Sequence, residues 1–202
     1  MNFSSFFLLF LTVSMCGMLV LSSGAFTSYD IKQTQPAKIE IETVSGGDRY
    51  NDTARFQDNA VVLRHAGGKS IPLDDVSVQM IGIGNSYKGI PGSGGELLFG
   101  DLLIYYEHLN IGKKNLQFEK NNQETLKDGL WSSGEKIILT GNDSQTSSSS
   151  SVFVSVNGET ETSNNYGFSS QTTLEISIYQ KSAENKHLIF KKNVSVSKIK
   201  PA

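Results

Sequence analysis

The sequence contains a single cysteine, Cys16, which lies within an apolar run near the amino terminus. The rest of the chain therefore has no disulfide and no thiol chemistry available to it, and its stability must come from a buried core. Basic and acidic residues nearly balance, with 18 Lys and Arg against 20 Asp and Glu, and no basic block is long enough to attract nucleic acid by counterion release. Nucleic acid is therefore not an expected partner.

Residues that carry catalysis or bind metal are also scarce. The chain has three histidines, none with a second His, Cys or carboxylate at metal-ligand spacing: His65, His108 and His187. The glycines of residues 82–95 form neither a Gly-x-Ser-x-Gly nucleophile elbow nor a phosphate-binding loop. Adjacent carboxylates at Asp74 and Asp75 would point to opposite faces of a strand, so we interpret them as a polar turn. We predict a protein without enzymatic activity, metal or cofactor.

Charge is missing altogether from the first 29 residues, and residues 6–21 are almost entirely apolar. A helix over residues 6–26 would be roughly 31 Å long, close to the thickness of a bilayer core. Small residues within it would let neighbouring helices pack closely in lipid or in a filament core. We predict that residues 1–26 form a retained membrane anchor and assembly helix. Its anchoring side chains would be Phe6, Phe7, Leu8, Leu9, Phe10, Leu11, Val13, Met15, Met18, Leu19, Val20 and Leu21.

A cleaved secretory signal is the alternative interpretation of the same segment. Ser23, Gly24 and Ala25 place small residues where a signal peptidase would cut, although the segment lacks the Lys or Arg that usually precedes the apolar core of a signal. Residues 27–37 follow as a polar linker containing Pro36, which would terminate a helix.

Residues 38–202 have the pattern of one β domain. Apolar residues alternate with polar ones, or form short runs between Gly, Asn and Ser turns, in 38–42, 60–64, 76–83, 136–140, 152–156, 174–178 and 187–199. We expect two strands within 97–109, a long loop over 82–95, a two-residue hairpin turn at Asn157 and Gly158, and at most a helical turn at 123–127. About eight antiparallel strands with hardly any helix predict a two-sheet β-sandwich.

The Asn-x-Ser/Thr sequons at Asn51, Asn142 and Asn193 are candidate N-glycosylation sites and favour a compartment outside the cytoplasm. The aromatic residues Tyr105, Tyr106 and Trp131 could form a surface that binds sugar or protein. A sandwich of this size also needs large side chains in its core, and core packing is the favoured interpretation.

Residues 60–76, AVVLRHAGGKSIPLDDV, resemble the strand, His-x-Gly-Gly turn and Asp-Asp strand start of archaeal type IV pilin-like proteins. The matching positions are His65, Gly67, Gly68, Asp74 and Asp75, and the resemblance continues through 84–89, 92–95, 131–135, 139–143 and 154–158, as in methanogen members. The resemblance implies a subunit whose N-terminal helix is held in the membrane and then packs with its neighbours in a pilus-like filament, with the β domain outside.

The chain departs from that family at its start. Such precursors usually carry a short basic leader that is cut by a prepilin-type peptidase, whereas this sequence begins without Lys or Arg and without a recognisable processing site. Either the leader is missing, or this member is a membrane-tethered relative that does not polymerise.

These observations together predict a single-pass protein of the cell membrane with an extracellular β domain. Its expected partners are membrane lipid and other copies of itself or related pilins. The alternative is a membrane-tethered or secreted β-sandwich binding module that recognises a surface-layer protein or glycan without polymerising.

Overall fold

The computed structural model describes residues 35–47, 55–89, 94–111, 115–144, 150–183 and 185–199. These residues belong to one compact unit, Gln35–Ala202. The predicted anchor side chains between positions 6 and 21, most of the predicted linker and the sequon at Asn51 lie outside the described residues. Within the described ranges, no helix is both long enough and apolar enough to cross a membrane.

The described part of the chain is mainly β, as predicted. Its strands are β1 Lys38–Gly46, β2 Ala60–Gly67, β3 Ile71–Pro72, β4 Val76–Lys88, β5 Glu96–Tyr106, β6 Leu130–Trp131, β7 Lys136–Thr140, β8 Val152–Val156, β9 Gly167–Phe168, β10 Thr173–Ser182, β11 Asn185–Ser195 and β12 Ser197–Lys198. Two short α-helices, α1 Leu116–Asn121 and α2 Gln123–Leu126, and two 3-10 helices, Phe56–Asp58 and Leu73–Asp75, complete the described elements.

These strands form two main sheets and a small third one. The four-stranded sheet has the order β12-β1-β2-β7, and the six-stranded sheet has the order β11-β10-β4-β5-β8 with β9 paired to β4. The third sheet pairs β3 with β6. All pairs are antiparallel except β1 with β12.

Alternating side chains from both main sheets join one apolar core. Val61 and Leu63 contribute from β2, while Val78 and Met80 contribute from β4, and all four are fully buried. Successive side chains of a strand point to opposite faces, so this alternation leaves the other face of each sheet outward. The arrangement is consistent with the predicted β-sandwich.

The predicted loop over residues 82–95 is wrong in its first half, because β4 continues through Lys88. The glycines there allow close approach within the sheet: a Cβ on Gly84 would overlap the Gly167 carbonyl and the Leu102 side chain. Glycine inside a strand often marks such a close approach of another backbone segment.

The prediction of two strands within 97–109 is also wrong, since β5 runs unbroken from Glu96 to Tyr106. Gly100 has φ +150 inside the strand, and the Asn157 side chain occupies the space beside it. The Asp101 amide donates to Asn157 Oδ1 at 2.9 Å, and Asn157 Nδ2 donates to the Phe99 carbonyl at 3.0 Å. A side-chain amide thus bridges the position where the sequence suggested a break.

The Asn157-Gly158 turn is confirmed, with φ of 52 and 82 and reciprocal backbone bonds between Val156 and Glu159. The chain does not form a returning strand after it, and β8 pairs with β5 instead. The other predicted hairpin, formed by β10 and β11, is present.

Candidate functional site

The His-Ala-Gly-Gly turn lies where the chain enters the β domain. The Lys69 amide donates to the Gln35 carbonyl at 3.0 Å, so the residues before β1 are bonded to this turn. Gly68 has φ +89, and a Cβ on it would overlap the backbone of Pro36 and Gln35. Only glycine combines this backbone conformation with such a close approach.

His65 supports the turn from inside. Its side chain is fully buried, and Nε2 lies 3.0 Å from the Lys69 carbonyl oxygen. Because a carbonyl oxygen only accepts, Nε2 donates this hydrogen bond, which links the two ends of the turn 65–69. The ring also contacts Trp131 edge to face, with centroids 5.9 Å apart. His65 thus satisfies a local backbone group.

A second segment, residues 131–135, lies against the same turn. The His65 amide donates to the Glu135 carbonyl at 2.9 Å, and the Gly134 amide donates to the His65 carbonyl at 2.7 Å. The Trp131 indole Nε1 also donates to the Glu135 carbonyl, at 3.2 Å. We call the set formed by residues 35–36, 65–69 and 131–135 the linker clasp.

Asp74 and Asp75 lie outside the linker clasp, in the 3-10 helix Leu73–Asp75 that precedes β4. Asp74 is exposed and accepts a hydrogen bond from Asn110 Nδ2 at 3.1 Å. These two carboxylates therefore form a polar turn ahead of the strand, as the sequence indicated.

The two described sequons have different surroundings. Asn142 is half-buried in the turn after β7, where its Oδ1 accepts from Thr140 Oγ1 at 2.9 Å. Ser144 of the same sequon donates to Asn165 Oδ1 at 2.9 Å. Asn193 is exposed on β11, facing Glu175 of β10.

We expect any N-linked glycan on the described domain to occupy Asn193 rather than Asn142, because only the Asn193 side chain is exposed. Glycopeptide mass spectrometry of protein from its native host would measure the occupancy of each site. Asn193→Gln should remove the glycan mass and Asn142→Gln should leave it unchanged. A glycan found on Asn142 with Asn193 bare would contradict this expectation.

A buried polar network joins the two sheets near β7. The Tyr106 hydroxyl lies 2.7 Å from the Tyr166 hydroxyl and donates to Asp143 Oδ2 at 2.9 Å. Thr140 donates to Asp143 through its amide at 2.7 Å and through Oγ1 at 2.5 Å. Burial raises the pKa of both tyrosines well above the ordinary value, so both stay protonated.

Burial also raises the pKa of Asp143 to about 7, against the hydrogen bonds from Thr140 and Tyr106, which lower it. The geometry accommodates the neutral acid. Thr140 Oγ1 has one proton but two acceptors within reach, Asp143 Oδ1 and Asn142 Oδ1. A protonated Asp143 can donate to Thr140 Oγ1, which then donates to Asn142.

The free energy of unfolding should therefore fall as the pH rises from about 4 to 7, because the native state keeps a proton that the unfolded state has lost. The expected contribution of Asp143 is about 2 to 4 kcal/mol over that range. Denaturant unfolding at several pH values, with Asp143→Asn as the comparison, measures it. The Asn variant should have a flatter pH profile than the parent, and parallel profiles would contradict the assignment.

The outward face of the six-stranded sheet carries an apolar surface that we call the outer patch: Ile81, Leu103, Tyr105, Phe153, Tyr179 and Leu188. Cross-strand pairs bring these side chains together, including Ile81 with Leu103 and Tyr105 with Phe153. The Tyr105 and Phe153 rings stack with centroids 6.4 Å apart. Lys186 Nζ lies over Tyr105 and Tyr179, 4.7 and 4.3 Å from the two ring centroids.

The three aromatic candidates therefore have different positions. Tyr106 and Trp131 are fully buried in the core, whereas Tyr105 lies half-buried in the outer patch. An exposed apolar surface with stacked rings is typical of a site that contacts another molecule.

No group of three or more His, Cys, Asp or Glu side chains within the described ranges is arranged to hold a metal ion. No protein-family model, curated protein or solved structure matches the chain.

Sequence reasoning missed the buried network and most of the outer patch. Asp143 was visible only as the middle residue of a sequon, and its burial depends on Tyr106 and Tyr166, which are distant in sequence. The alternation through Leu103 and Tyr105 is a signal that could have indicated an outward apolar row, had β5 been treated as one strand.

Proposed function

We propose that this protein is a pilin-like subunit of the cell surface, without enzymatic activity. The apolar segment 1–26 stays attached, anchors the chain in the membrane and assembles copies into pilus-like filaments, while the β domain lies outside the cell. The observation that carries the proposal is the linker clasp, in which the turn 65–69 is bonded to the first residues of the β domain and is itself bonded to residues 131–135.

The linker clasp suits a subunit that is held by its amino-terminal segment. Tension on the linker would reach the β domain at Gln35 and Pro36, which lie against the Lys69 amide and Gly68. The same turn is bonded through the Lys69 carbonyl to buried His65, whose ring contacts Trp131. The fully buried indole and imidazole behind this turn resist displacement because moving them would open the core.

The apolar segment would lie first in lipid and then in the core of a filament. In lipid, helix contacts come from close packing, whereas in a filament core the same surface is removed from water. Each Å² of apolar surface buried between copies then contributes about 25 cal/mol. This favourable free energy of burial would drive filament growth.

Electron microscopy of material sheared from cells tests the proposal. Filaments that contain the protein, identified by antibody labelling of the β domain, are the expected result. Protein that is present only as freely soluble monomers would contradict it.

The outer patch favours a second candidate function, a tethered binding module that recognises a surface-layer protein or glycan without polymerising. Replacing both Tyr105 and Phe153 with alanine should then abolish retention on isolated surface layers. Glu107→Ala, an exposed change near the end of β5, is the matched control. Filaments seen by microscopy would favour the first function, and surface-layer binding without filaments would favour the second.

A further inference from the structure

The edges of the two main sheets differ in how they are protected. The outer edge of β7 is closed by side chains: Asn122 bonds both the amide and the carbonyl of Ile138, at 2.7 and 3.0 Å, and Thr125 Oγ1 donates to the Lys136 carbonyl at 2.8 Å. Such bonds occupy the backbone groups that another strand would need.

The β8 edge of the six-stranded sheet is closed in the same way. Asn164 Oδ1 accepts from the Val154 amide at 3.0 Å, and Thr162 Oγ1 donates to the Val154 carbonyl at 2.9 Å. The segment 158–164 therefore lies along this edge and covers it.

β11, at the opposite edge of the same sheet, has no such cover within the described residues. From Lys186 to Ser195 it pairs with β10 alone, and most of its residues are exposed. Within the described ranges, no strand or side chain is bonded along the outer side of this 11-residue edge strand, so it is open to another segment.

The two edges also carry opposite charge. β11 contains Lys186, Lys191 and Lys192 and no carboxylate, and of these only Lys191 forms an ion pair among the described residues, with Glu175 at 2.8 Å. The segment beyond β8 contains Glu159 and Glu161 and no basic residue.

Lys88 is the basic residue beside that acidic segment. It forms an ion pair with Glu159 at 2.9 Å, and Glu159, Glu161 and Glu96 together raise its pKa. The carboxylates that interact with Lys88 outnumber its single ammonium group, which leaves this edge negative.

We propose that copies of the β domain associate head to tail, with residues 186–192 of the basic edge strand β11 of one copy receiving the acidic segment 158–163 of the next. The two surfaces differ and lie on opposite edges of one sheet, so the contact is heterologous and repeats without closing unless the rotation closes a ring. This inference rests on the proposed role as an assembling subunit and adds a contact between β domains to the one made by the apolar segment. Three lysines on an edge strand also discourage pairing with an identical strand, which favours an acidic occupant.

Cysteine cross-linking of the full chain in its native membranes tests the contact. In a Cys16→Ser background, His187→Cys and Thr160→Cys place one thiol at each edge, and both positions are exposed. Oxidation should give a ladder of covalent multimers in the double variant and no ladder in either single variant. Leu116→Cys with Thr160→Cys is the matched control, because Leu116 is 80% exposed on α1 and lies away from β11, and it should give no ladder.

A charge swap makes the test specific to the proposed pairing. Lys192→Glu and Glu161→Lys, each added alone to the double-cysteine chain, should weaken cross-linking roughly tenfold, and both changes in one chain should restore it. Lys192 forms no ion pair among the described residues, so the melting curve of Lys192→Glu should match the parent. Glu161 interacts with Lys88, so the melting curve of Glu161→Lys is measured alongside its cross-linking.

Each outcome has a clear meaning. A ladder that the swap abolishes and restores supports the contact. Filaments by microscopy without a ladder, or a ladder that ignores the swap, would overturn the contact and leave the proposed function standing. The absence of both filaments and ladder would contradict the contact and the proposed function together.

Discussion

Replacing Val13 with aspartate is expected to abolish filament assembly while the β domain keeps its fold. Val13 lies near the middle of the apolar residues 6–21. A carboxylate at the centre of a membrane helix costs about 2.5 to 3.5 kcal/mol, and the same charge would be buried without a partner in a filament core. Electron microscopy of sheared material and thermal melting of the β domain measure the two parts of this prediction.

The matched control for Val13→Asp is Thr27→Asp, which adds the same charge just beyond the apolar segment. This variant should assemble at the parent's level. Met18→Asp, inside the segment, should fail as Val13→Asp does. Filaments of normal abundance from either Val13→Asp or Met18→Asp would refute the assembly role of the segment.

Replacing Gly68 with alanine should open the linker clasp. The new methyl group meets the Pro36 and Gln35 backbone, and φ of +89 is strained for any residue with a Cβ. Strain of this kind costs about 1 to 2 kcal/mol, and the backbone overlap adds to it, so we expect a total loss of about 3 kcal/mol or more. Denaturant unfolding measures the loss, and hydrogen exchange at the Lys69 amide reports whether Gln35 has been released.

Gly134→Ala measures the cost of backbone strain alone, without the overlap that a methyl group would cause at Gly68. Gly134 has φ +94, close to that of Gly68, but a Cβ there would meet nothing within 4 Å. We expect Gly134→Ala to cost about 1 to 2 kcal/mol and to leave the Lys69 amide protected. Equal losses in the two variants, with Lys69 protected in both, would show that the chain at Gln35 and Pro36 is not held by this turn.

Local alternation predicted much of the β structure. Val152, Val154 and Val156 form a strand with all three side chains buried, and 136–140 is the strand that its compact apolar run indicated. These segments fold as predicted because their period of two matches one buried face of a sheet.

Glycine was the main source of error in the predicted strand boundaries. The sequence predicted a loop at Gly84 and a break at Gly100, yet both residues lie inside long strands. At each position another segment of the same chain occupies the space that a side chain would fill. The Gly167 carbonyl approaches the first and the Asn157 amide the second. Both neighbours are distant in sequence, so a local pattern could not reveal them.

The last strand shows a related limit. The sequence predicted one strand over 187–199, whereas β11 ends at Ser195 and β12 begins at Ser197 in the other main sheet. Between them, Val196 is buried and bonds Thr172 and Gln171 through its backbone. A uniform alternation does not indicate where a chain changes sheets.

The candidate site was predictable only in part. The resemblance singled out His65, Gly67 and Gly68. The contact of this turn with Trp131 and Glu135 joins segments about 66 residues apart, and the closed and open sheet edges likewise depend on which strands become neighbours. Pairings of that sequence separation are set by the whole fold rather than by local sequence.

The amino terminus of the mature protein, determined by mass spectrometry on material taken from the cell surface, tests the central claim most directly. Retention of residues 6–21 in membrane-bound or filamentous protein is the result that we predict. A mature chain that begins at Phe26 or later and circulates as a soluble monomer would contradict it.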